Sequence, residues 1–253
     1  MDESKQPKFP SEVIDLPSKG LVYSEDSPLR EGKLELKYMT TREEDILTSQ
    51  NLIKKGVVIN QLLKALILTK GVSPDDLVLG DKNAVMVAAR ILAYGPEYTV
   101  EVVHPSTNEK ITHTFDLSDC PFKELTDDFD YSSGEFEIEL PISKAKIQFR
   151  LLIGKDELII EKELAGTKKL GQGSTEITTR LKQAIVSVNG DDDRKLVNSF
   201  VHNMLSKDSL FLREKMAEIS PDIEMKQEVE VEGETVTLDI PMTVDFFWPK
   251  TTR

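Results

Sequence analysis

Apolar and polar residues follow one another along the first third of the chain in patterns that predict a strand and then helices. Residues 33–39 alternate polar and apolar side chains, as a half-buried strand does. Directly behind them, Thr41 and Glu44 have the spacing of a capping box, which predicts the start of a helix. Apolar side chains recur at three- and four-residue spacing over residues 58–67, which predicts an amphipathic helix that stops near Gly71.

A third helix and a β-hairpin are predicted next. The helix is indicated by Asp81 and the run 84–93. It should end at Gly95-Pro96, because glycine can adopt the left-handed closing conformation and proline cannot continue a helix. Residues 98–103 and 111–115 have the composition of two strands, joined by a tip that contains Pro105. This part of the chain therefore combines helices with an antiparallel hairpin.

The same order of elements starts again near residue 136. Residues 136–142 and 147–151 alternate as two strands. A second hairpin is predicted over residues 228–240, with its turn at Glu232-Gly233. The second half of the chain is thus predicted to repeat the organisation of the first.

Two alignments between the halves indicate an internal duplication of roughly 110 residues. Residues 36–47 align with residues 149–160 without a gap, and in both segments a basic residue, two acids and an apolar pair follow a strand. A second set matches at helical spacing, Ile59, Leu63, Lys64 and Ile67 against Ile177, Leu181, Lys182 and Ile185. The alternative is that two helical α+β units look alike only because amphipathic patterns recur.

The predicted fold class is α+β, with an extended N-terminal arm followed by two related helix-plus-β-hairpin units. The arm covers residues 1–32, where repeated prolines and glycines exclude a helix. The first unit covers residues 33–118, an Asp-rich linker covers residues 119–133, and the second unit covers residues 134–253. Two related units present two similar docking surfaces, which favours a scaffold over a catalytic pocket.

Composition and charge narrow the classes of partner. The 253 residues include 45 acids and 32 bases, and the formal net charge of −13 works against binding to a phosphate backbone. We therefore expect protein partners and no nucleic acid. No run approaches the roughly 20 apolar residues of a membrane span, and the first ten residues lack a signal-peptide core. Together with a single cysteine, this predicts a cytoplasmic protein without membrane contact.

The residues that usually carry catalysis or bind metals form no complete motif. His104 and His113 lie on the first hairpin, where only Glu101 or Glu109 could complete a metal site, and exposed histidines are the simpler interpretation. Cys120 follows an acidic residue and precedes a proline, which should raise its pKa and make it unreactive. We therefore expect no catalytic residue and no metal site.

Two loop patterns resemble ligand sites only in part. Acidic and hydroxyl residues of the segment 128–139 occupy calcium-loop positions, but the glycine comes one place late, at Gly134, and a strand pattern follows where a helix is needed. The glycine-rich segment 171–176 lacks the third glycine and the lysine of a phosphate loop. The sequence therefore predicts no cofactor, and we expect no small-molecule ligand.

Three consecutive aromatic residues, Phe246, Phe247 and Trp248, follow the second predicted hairpin. A cluster this apolar near the end of the sequence must be held by other residues. It either closes the core of the second unit or anchors a neighbouring subunit, since Trp and Phe supply interface area at little entropic cost.

Several segments resemble a known viral family. They are residues 16–23 (LPSKGLVY), 38–47 (YMTTREEDIL), 80–84, 89–95 and 246–249. In their combination and order they resemble the baseplate hub subunit family of T-even-type contractile-tailed bacteriophages. The resemblance covers most of the chain and is strongest over residues 16–100.

The resemblance implies a late viral protein that takes part in assembling the central hub of the tail baseplate in the host cytoplasm. Relatives often carry cysteine pairs at their hairpin tips, as zinc ribbons do. Here the tips are residues 104–108 and 232–233 and contain no cysteine, so a zinc role does not carry over.

We therefore predict a non-enzymatic structural or assembly component of the baseplate hub, which docks other hub and tail proteins. Whether it is kept in the virion stays open. Two alternatives stay open, a transient tail assembly chaperone absent from the mature virion and a metal-dependent hydrolase. The predicted partner contacts lie in the arm and among the C-terminal aromatics: Leu16, Pro17, Lys19, Leu21, Tyr23, Phe246, Phe247 and Trp248.

Overall fold

Short antiparallel sheets alternate with helices along the chain. A computed structural model describes residues 10–169, 174–231, 233–242 and 244–247. Its strands are β1 (Ser11–Asp15), β2 (Lys33–Lys37), β3 (Glu97–Val103), β4 (Lys110–Asp116), β5 (Glu135–Glu139), β6 (Lys146–Arg150), β7 (Ile185–Val188), β8 (Lys226–Val231) and β9 (Glu234–Asp239). Its helices are α1 (Thr41–Thr48), α2 (Gln50–Lys54), α3 (Val58–Leu66), α4 (Leu79–Tyr94), α5 (Gly154–Lys169), α6 (Glu176–Ala184), α7 (Arg194–His202) and α8 (Ser206–Ile219).

The sheets are small and antiparallel. β1 pairs with β2, β3 with β4 and β8 with β9, while β5, β6 and β7 form a three-stranded sheet in that order. Helices and hairpins are interspersed, and the sheets are not built from parallel βαβ units, which confirms the α+β class.

Most predicted elements are present, with one shift at the start of α1. The capping residue is Thr40, whose N–H and hydroxyl donate to the Glu43 carboxylate at 2.9 and 2.6 Å. The predicted pair of Thr41 and Glu44 is therefore wrong by one residue, because Thr41 is already the first helical residue.

In the described part of the chain, β1, α2 and β7 have no counterpart in the sequence prediction. β1 lies in the proline-rich arm, yet its five residues pair in register with β2. β7 follows α6 without a turn, so the apolar spacing of the helix runs directly into the strand. The arm is therefore joined to the first unit through the β1-β2 sheet.

The buried apolar side chains form two clusters. The first contains residues of the arm, of β2, α1, α3 and α4 and of the first hairpin, including Leu16, Leu62 and Phe115. The second lies between the β5-β6-β7 sheet and helices α6, α7 and α8, and includes Phe149 and Leu212. Each large side chain buried in this way contributes about 1.5–3 kcal/mol of hydrophobic free energy.

The chain returns to the first cluster after α8. Val236 and Leu238 of the second hairpin belong to the first cluster, and so do Phe246 and Phe247. The ring of Tyr98 on β3 packs edge-on against Phe246, with ring centroids 5.0 Å apart. The interpretation that these aromatics close the core of the second unit is therefore wrong, since they pack on the first.

The predicted linker is held against the connection between α8 and β8. Lys123 N–H donates to the Asp222 carbonyl at 2.9 Å, and Glu224 N–H donates to the Pro121 carbonyl at 2.8 Å. The hydroxyl of Tyr131 donates to the Ile219 carbonyl at 3.2 Å. The segment 119–133 is therefore fixed to the connection between α8 and β8 at three points.

Candidate functional site

The strongest candidate site is the turn formed by residues 16–23, which we call the Ser18 turn. Lys19 and Gly20 both have left-handed backbone conformations, with φ of 50° and 78°. A Cβ atom at Gly20 would overlap the Arg30 carbonyl oxygen, so this position requires glycine. The Arg30 guanidinium donates to the Leu21 and Tyr23 carbonyls at 2.9 and 3.1 Å, which fixes the far side of the turn.

A buried carboxylate holds the Ser18 turn against the start of α4. Asp81 accepts hydrogen bonds from Ser18 N–H at 2.8 Å, from the Ser18 hydroxyl at 2.6 Å and from the Tyr23 hydroxyl at 2.6 Å. Tyr23 Oη also accepts from Val78 N–H at 3.0 Å. These contacts connect residues that are more than 50 positions apart in the sequence, so they specify tertiary structure.

Burial dominates the electrostatics of this contact. It raises the pKa of Asp81, although the donors from Ser18 and Tyr23 act in the opposite direction. Burial and the nearby Asp81 carboxylate also raise the pKa of Tyr23, which keeps the phenol protonated and able to donate.

A second turn is held in the same way by α8. Asp208, like Asp81, is the third residue of its helix, and it accepts from Ile142 N–H and Ser143 N–H at 2.8 and 3.0 Å. Desolvation alone would raise the pKa of Asp208, but the donors from Ile142 and Ser143 outweigh it and lower the pKa. We call this turn, residues 140–145, the Ile142 turn.

Each turn presents an apolar side chain to solvent. Leu21 of the Ser18 turn is 40% exposed, and Ile142 of the Ile142 turn is 48% exposed. The Ser18 turn and the Ile142 turn therefore offer similar small surfaces, each fixed to a helix start by a buried acid. This arrangement can hold a protein contact in a fixed position.

The start of α4 also joins the two halves of the chain. Leu79 N–H donates to the Leu152 carbonyl at 3.1 Å, and Gly154 N–H donates to the Leu77 carbonyl at 2.8 Å. A cleft of about 420 Å³ lies at this junction, lined by both apolar and polar residues. Its lining residues include Val78 and Asp222.

The first hairpin tip is stabilised by a histidine. His104 is buried, and its Nδ1 accepts from Ser106 and Thr107 N–H, both at 3.3 Å. The expectation that this histidine is exposed is therefore wrong. The imidazole organises the tip at the position where relatives were expected to carry cysteines.

Cys120 and the two partial ligand-binding patterns in the sequence can be compared with the structure as well. Burial raises the pKa of the Cys120 thiol, with the neighbouring Asp119 and Asp116 adding to the shift, which agrees with an unreactive thiol. Asp130, from the partial calcium pattern, accepts from Ser132 N–H at 2.8 Å and is followed by β5. Residues 171–173 of the glycine-rich segment lie outside the described residues.

Neither a metal-binding group nor a membrane-spanning helix is found among the described residues. Within these ranges, no group of three or more His, Cys, Asp or Glu side chains is arranged to hold a metal ion. None of the helices in the described part of the chain has the length and apolar content needed to cross a membrane.

Comparison with known protein families identifies the family of this chain. A family model described as T4 bacteriophage base plate protein matches residues 13–248, which is nearly the whole chain. The chain belongs to this family. Comparisons with curated proteins and with solved structures found no match. The base plate assignment therefore depends on the family model and agrees with the viral family that the sequence resembles.

In this base plate protein the residues predicted to contact partners fall into three groups. Leu16, Pro17, Phe246 and Phe247 are buried within the chain itself. Leu16, Phe246 and Phe247 belong to the first cluster, so contact with a partner through them would require them to leave it. Trp248 lies outside the described residues.

The remaining three predicted contacts lie together on the Ser18 turn. Lys19 and Leu21 are exposed, whereas Tyr23 is partly buried and bonded to Asp81. Sequence reasoning missed Asp81 and Asp208 as the residues that position the two turns. Their signal is an acid at the third position of a helix, which sequence alone cannot distinguish from ordinary helix capping.

Proposed function

We propose that this base plate protein is a non-enzymatic structural or assembly component of the central hub, and that it acts by docking other hub and tail proteins in the host cytoplasm. The observation that carries the proposal is the family match over residues 13–248. The finer assignment to the hub is supported by the resemblance of residues 16–23 and 38–47 to hub subunits.

Docking at two sites is supported by equivalent contacts in the two halves, which we propose to be related by duplication. Lys37 pairs with Glu43 at 2.7 Å and Arg150 pairs with Asp156 at 2.6 Å, each acid being the third residue of the helix behind a strand. These four residues correspond under the gapless alignment of residues 36–47 with 149–160.

The strand contacts correspond as well. Leu36 of β2 bridges to Ile67 after α3, and Phe149 of β6 pairs with Ile185 after α6. Both pairs match the sequence alignment of the two halves. With Asp81 and Asp208 holding the two turns, the correspondence favours common ancestry over coincidental amphipathic patterns.

We further propose that Lys19 and Leu21 contact a partner protein through the Ser18 turn. The turn is rigid, because Asp81 and Arg30 fix both of its sides, so a partner would bind without an entropic cost for ordering it. Leu21 supplies the apolar contact and Lys19 the charge. The other predicted contacts of the arm stabilise the turn from inside.

The Leu21→Asp variant should lose binding to baseplate proteins. A charge placed in an apolar contact should reduce recovery of co-purifying tail proteins from infected cells about tenfold or more, which corresponds to the loss of one interface hot spot. The matched control is Leu68→Asp, since Leu68 is 41% exposed and Leu21 is 40% exposed. Equal recovery with both variants and the wild type would remove the Ser18 turn from the proposal.

Mass spectrometry of purified virions tests whether the protein remains in the particle. A structural hub component should give peptides in stoichiometric ratio to other baseplate proteins, after removal of loosely bound material by salt washes. If the protein co-purifies with assembling baseplates but is missing from virions, the transient chaperone alternative replaces the structural role. A failure to associate with baseplates at either stage would contradict the proposed function.

A further inference from the structure

The outer edge of β1 carries backbone groups that pair with no other strand of the described residues. Among the described strands, β1 pairs with β2 only. Leu16 N–H donates to the Gly32 carbonyl and Tyr38 N–H donates to the Pro10 carbonyl, so the even-numbered residues of β1 direct their backbone groups toward β2. The N–H and C=O groups of Ser11, Val13 and Asp15 therefore point away from β2.

The centre of this edge is apolar and exposed. Val13 is 64% exposed, the largest value among the exposed large apolar residues of the described chain. An open strand edge with a β-branched residue at its centre is a template for pairing with another strand, and proteins usually protect such edges with charges. At the centre of β1 no such charge is present.

β5 is the strand of the second unit that corresponds to β1, and its outer edge is protected by charges. Leu140 N–H donates to the Ala145 carbonyl, so the outward backbone groups of β5 are those of the odd-numbered residues. These residues are Glu135, Glu137 and Glu139, all with exposed side chains. Pairing β5 with its own copy would place these carboxylates opposite one another, which is destabilising.

We propose that β1 pairs antiparallel with β1 of a second copy of this chain, centred on Val13. In this register Val13 lies opposite Val13 of the second copy, and Ser11 lies opposite Asp15. Glu12 lies opposite Ile14. No like charges face each other across the pair, and the Ser11 hydroxyl can donate to the opposite carboxylate.

The flanking charges are compatible with this register. Asp15 lies 3.8 Å from Lys33 on β2, so its charge is partly neutralised before pairing. The Ser11 hydroxyl donates to Glu35 at 2.6 Å, and on pairing it would exchange that exposed partner for Asp15 of the second copy. The product is a four-stranded antiparallel sheet with the order β2, β1, β1 and β2.

The geometry sets the size and symmetry of the assembly. Pairing about a two-fold axis at Val13 uses the same edge on both copies, so the contact closes as a dimer and does not extend into a fibre. A pair of five-residue strands falls in the size class of weak, transient interfaces, below about 1,200 Å². The dimer should therefore depend on protein concentration.

Sedimentation analysis of the full chain tests the proposal with a matched pair of variants. The wild type should shift from monomer to dimer between about 1 and 500 µM. Val13→Pro should stay monomeric, because proline removes an outward N–H and no bond to β2. Glu137→Pro makes the equivalent change on β5 and should dimerise as the wild type does.

Several outcomes would overturn the proposal. A wild type that stays monomeric over this range would do so, and so would a folded Val13→Pro variant that still dimerises. Circular dichroism establishes that the variant is folded. If it is not, Val13→Lys replaces it, since two lysines would then face each other across the pair and should prevent the dimer.

A disulfide trap tests the register independently. In a hydrogen-bonded antiparallel pair the facing Cα atoms are about 5.5 Å apart, within the range that a disulfide can bridge. Val13→Cys should therefore form a covalent dimer under mild oxidation, whereas Glu137→Cys should form little. The native Cys120 is buried, so it contributes little background. Equal cross-linking of both variants would contradict pairing at β1.

Discussion

Replacing Asp81 with alanine is expected to lower the free energy of unfolding by about 3 kcal/mol or more. The substitution leaves Ser18 N–H, the Ser18 hydroxyl and the Tyr23 hydroxyl without their acceptor at a buried site. Each buried unsatisfied donor costs about 1–3 kcal/mol. Urea unfolding of the wild type and Asp81→Ala measures the difference, and a loss below about 1 kcal/mol would show that the Ser18 turn is not held through Asp81.

Asp81→Asn is the control that separates shape from charge. Burial raises the pKa of Asp81 above its ordinary value of 3.8, so Asp81 is protonated more readily in the folded state than in the unfolded chain. The protonated Asp81 side chain therefore stabilises the folded state at pH values below 3.8. This contribution to stability is lost as the pH rises through the raised pKa of the folded state. Asn cannot ionise, so the stability of Asp81→Asn relative to the wild type should increase as the pH rises above about 4. An identical pH dependence for both proteins would contradict the raised pKa.

Gly80→Ala is expected to destabilise the junction between the two halves by about 3 kcal/mol. A Cβ atom at this position would overlap the Pro221 carbonyl and lie 2.8 Å from the Asp222 Cα. These are backbone atoms, so relief requires displacement of the connection between α8 and β8 rather than rotation of a side chain. Thermal and urea unfolding should both report the loss.

Gly166→Ala provides the matched control for this substitution. Gly166 lies in α5, and a Cβ atom there would have no neighbour within 4 Å. Alanine should therefore stabilise the protein by up to about 1 kcal/mol through its higher helix propensity. If Gly80→Ala behaved like Gly166→Ala, the close approach of α4 to residue 221 would not be required for folding.

Local patterns were sufficient to predict most helices and hairpins of this protein. The spacing in α3 and the alternation in β5 and β6 are imposed by one buried face, which is visible in the sequence. The start of α1 was misplaced because Thr40 and Thr41 offer the same capping chemistry one residue apart. β7 was missed because no turn residue separates it from α6.

The contacts between distant segments could not be predicted in the same way. Ser18 and Asp81 are 63 residues apart, and neither position differs from an ordinary turn or helix residue in its local pattern. For the same reason Leu16 and Phe247 were expected at a partner interface, although both are apolar residues of the protein's own first cluster. Apolar character shows that a residue needs to be covered, but not by which chain.

The first cluster can be completed only late in translation, because the chain returns to it after α8. Proteins with more than one folding unit generally begin to fold at the N-terminus as they emerge from the ribosome. Here the first cluster stays incomplete until Leu238 and Phe247 have been synthesised. A polypeptide that terminates before residue 223 leaves the apolar face of the first hairpin uncovered, which exposes it to proteases and chaperones. Only copies translated through residue 247 can therefore complete the first cluster.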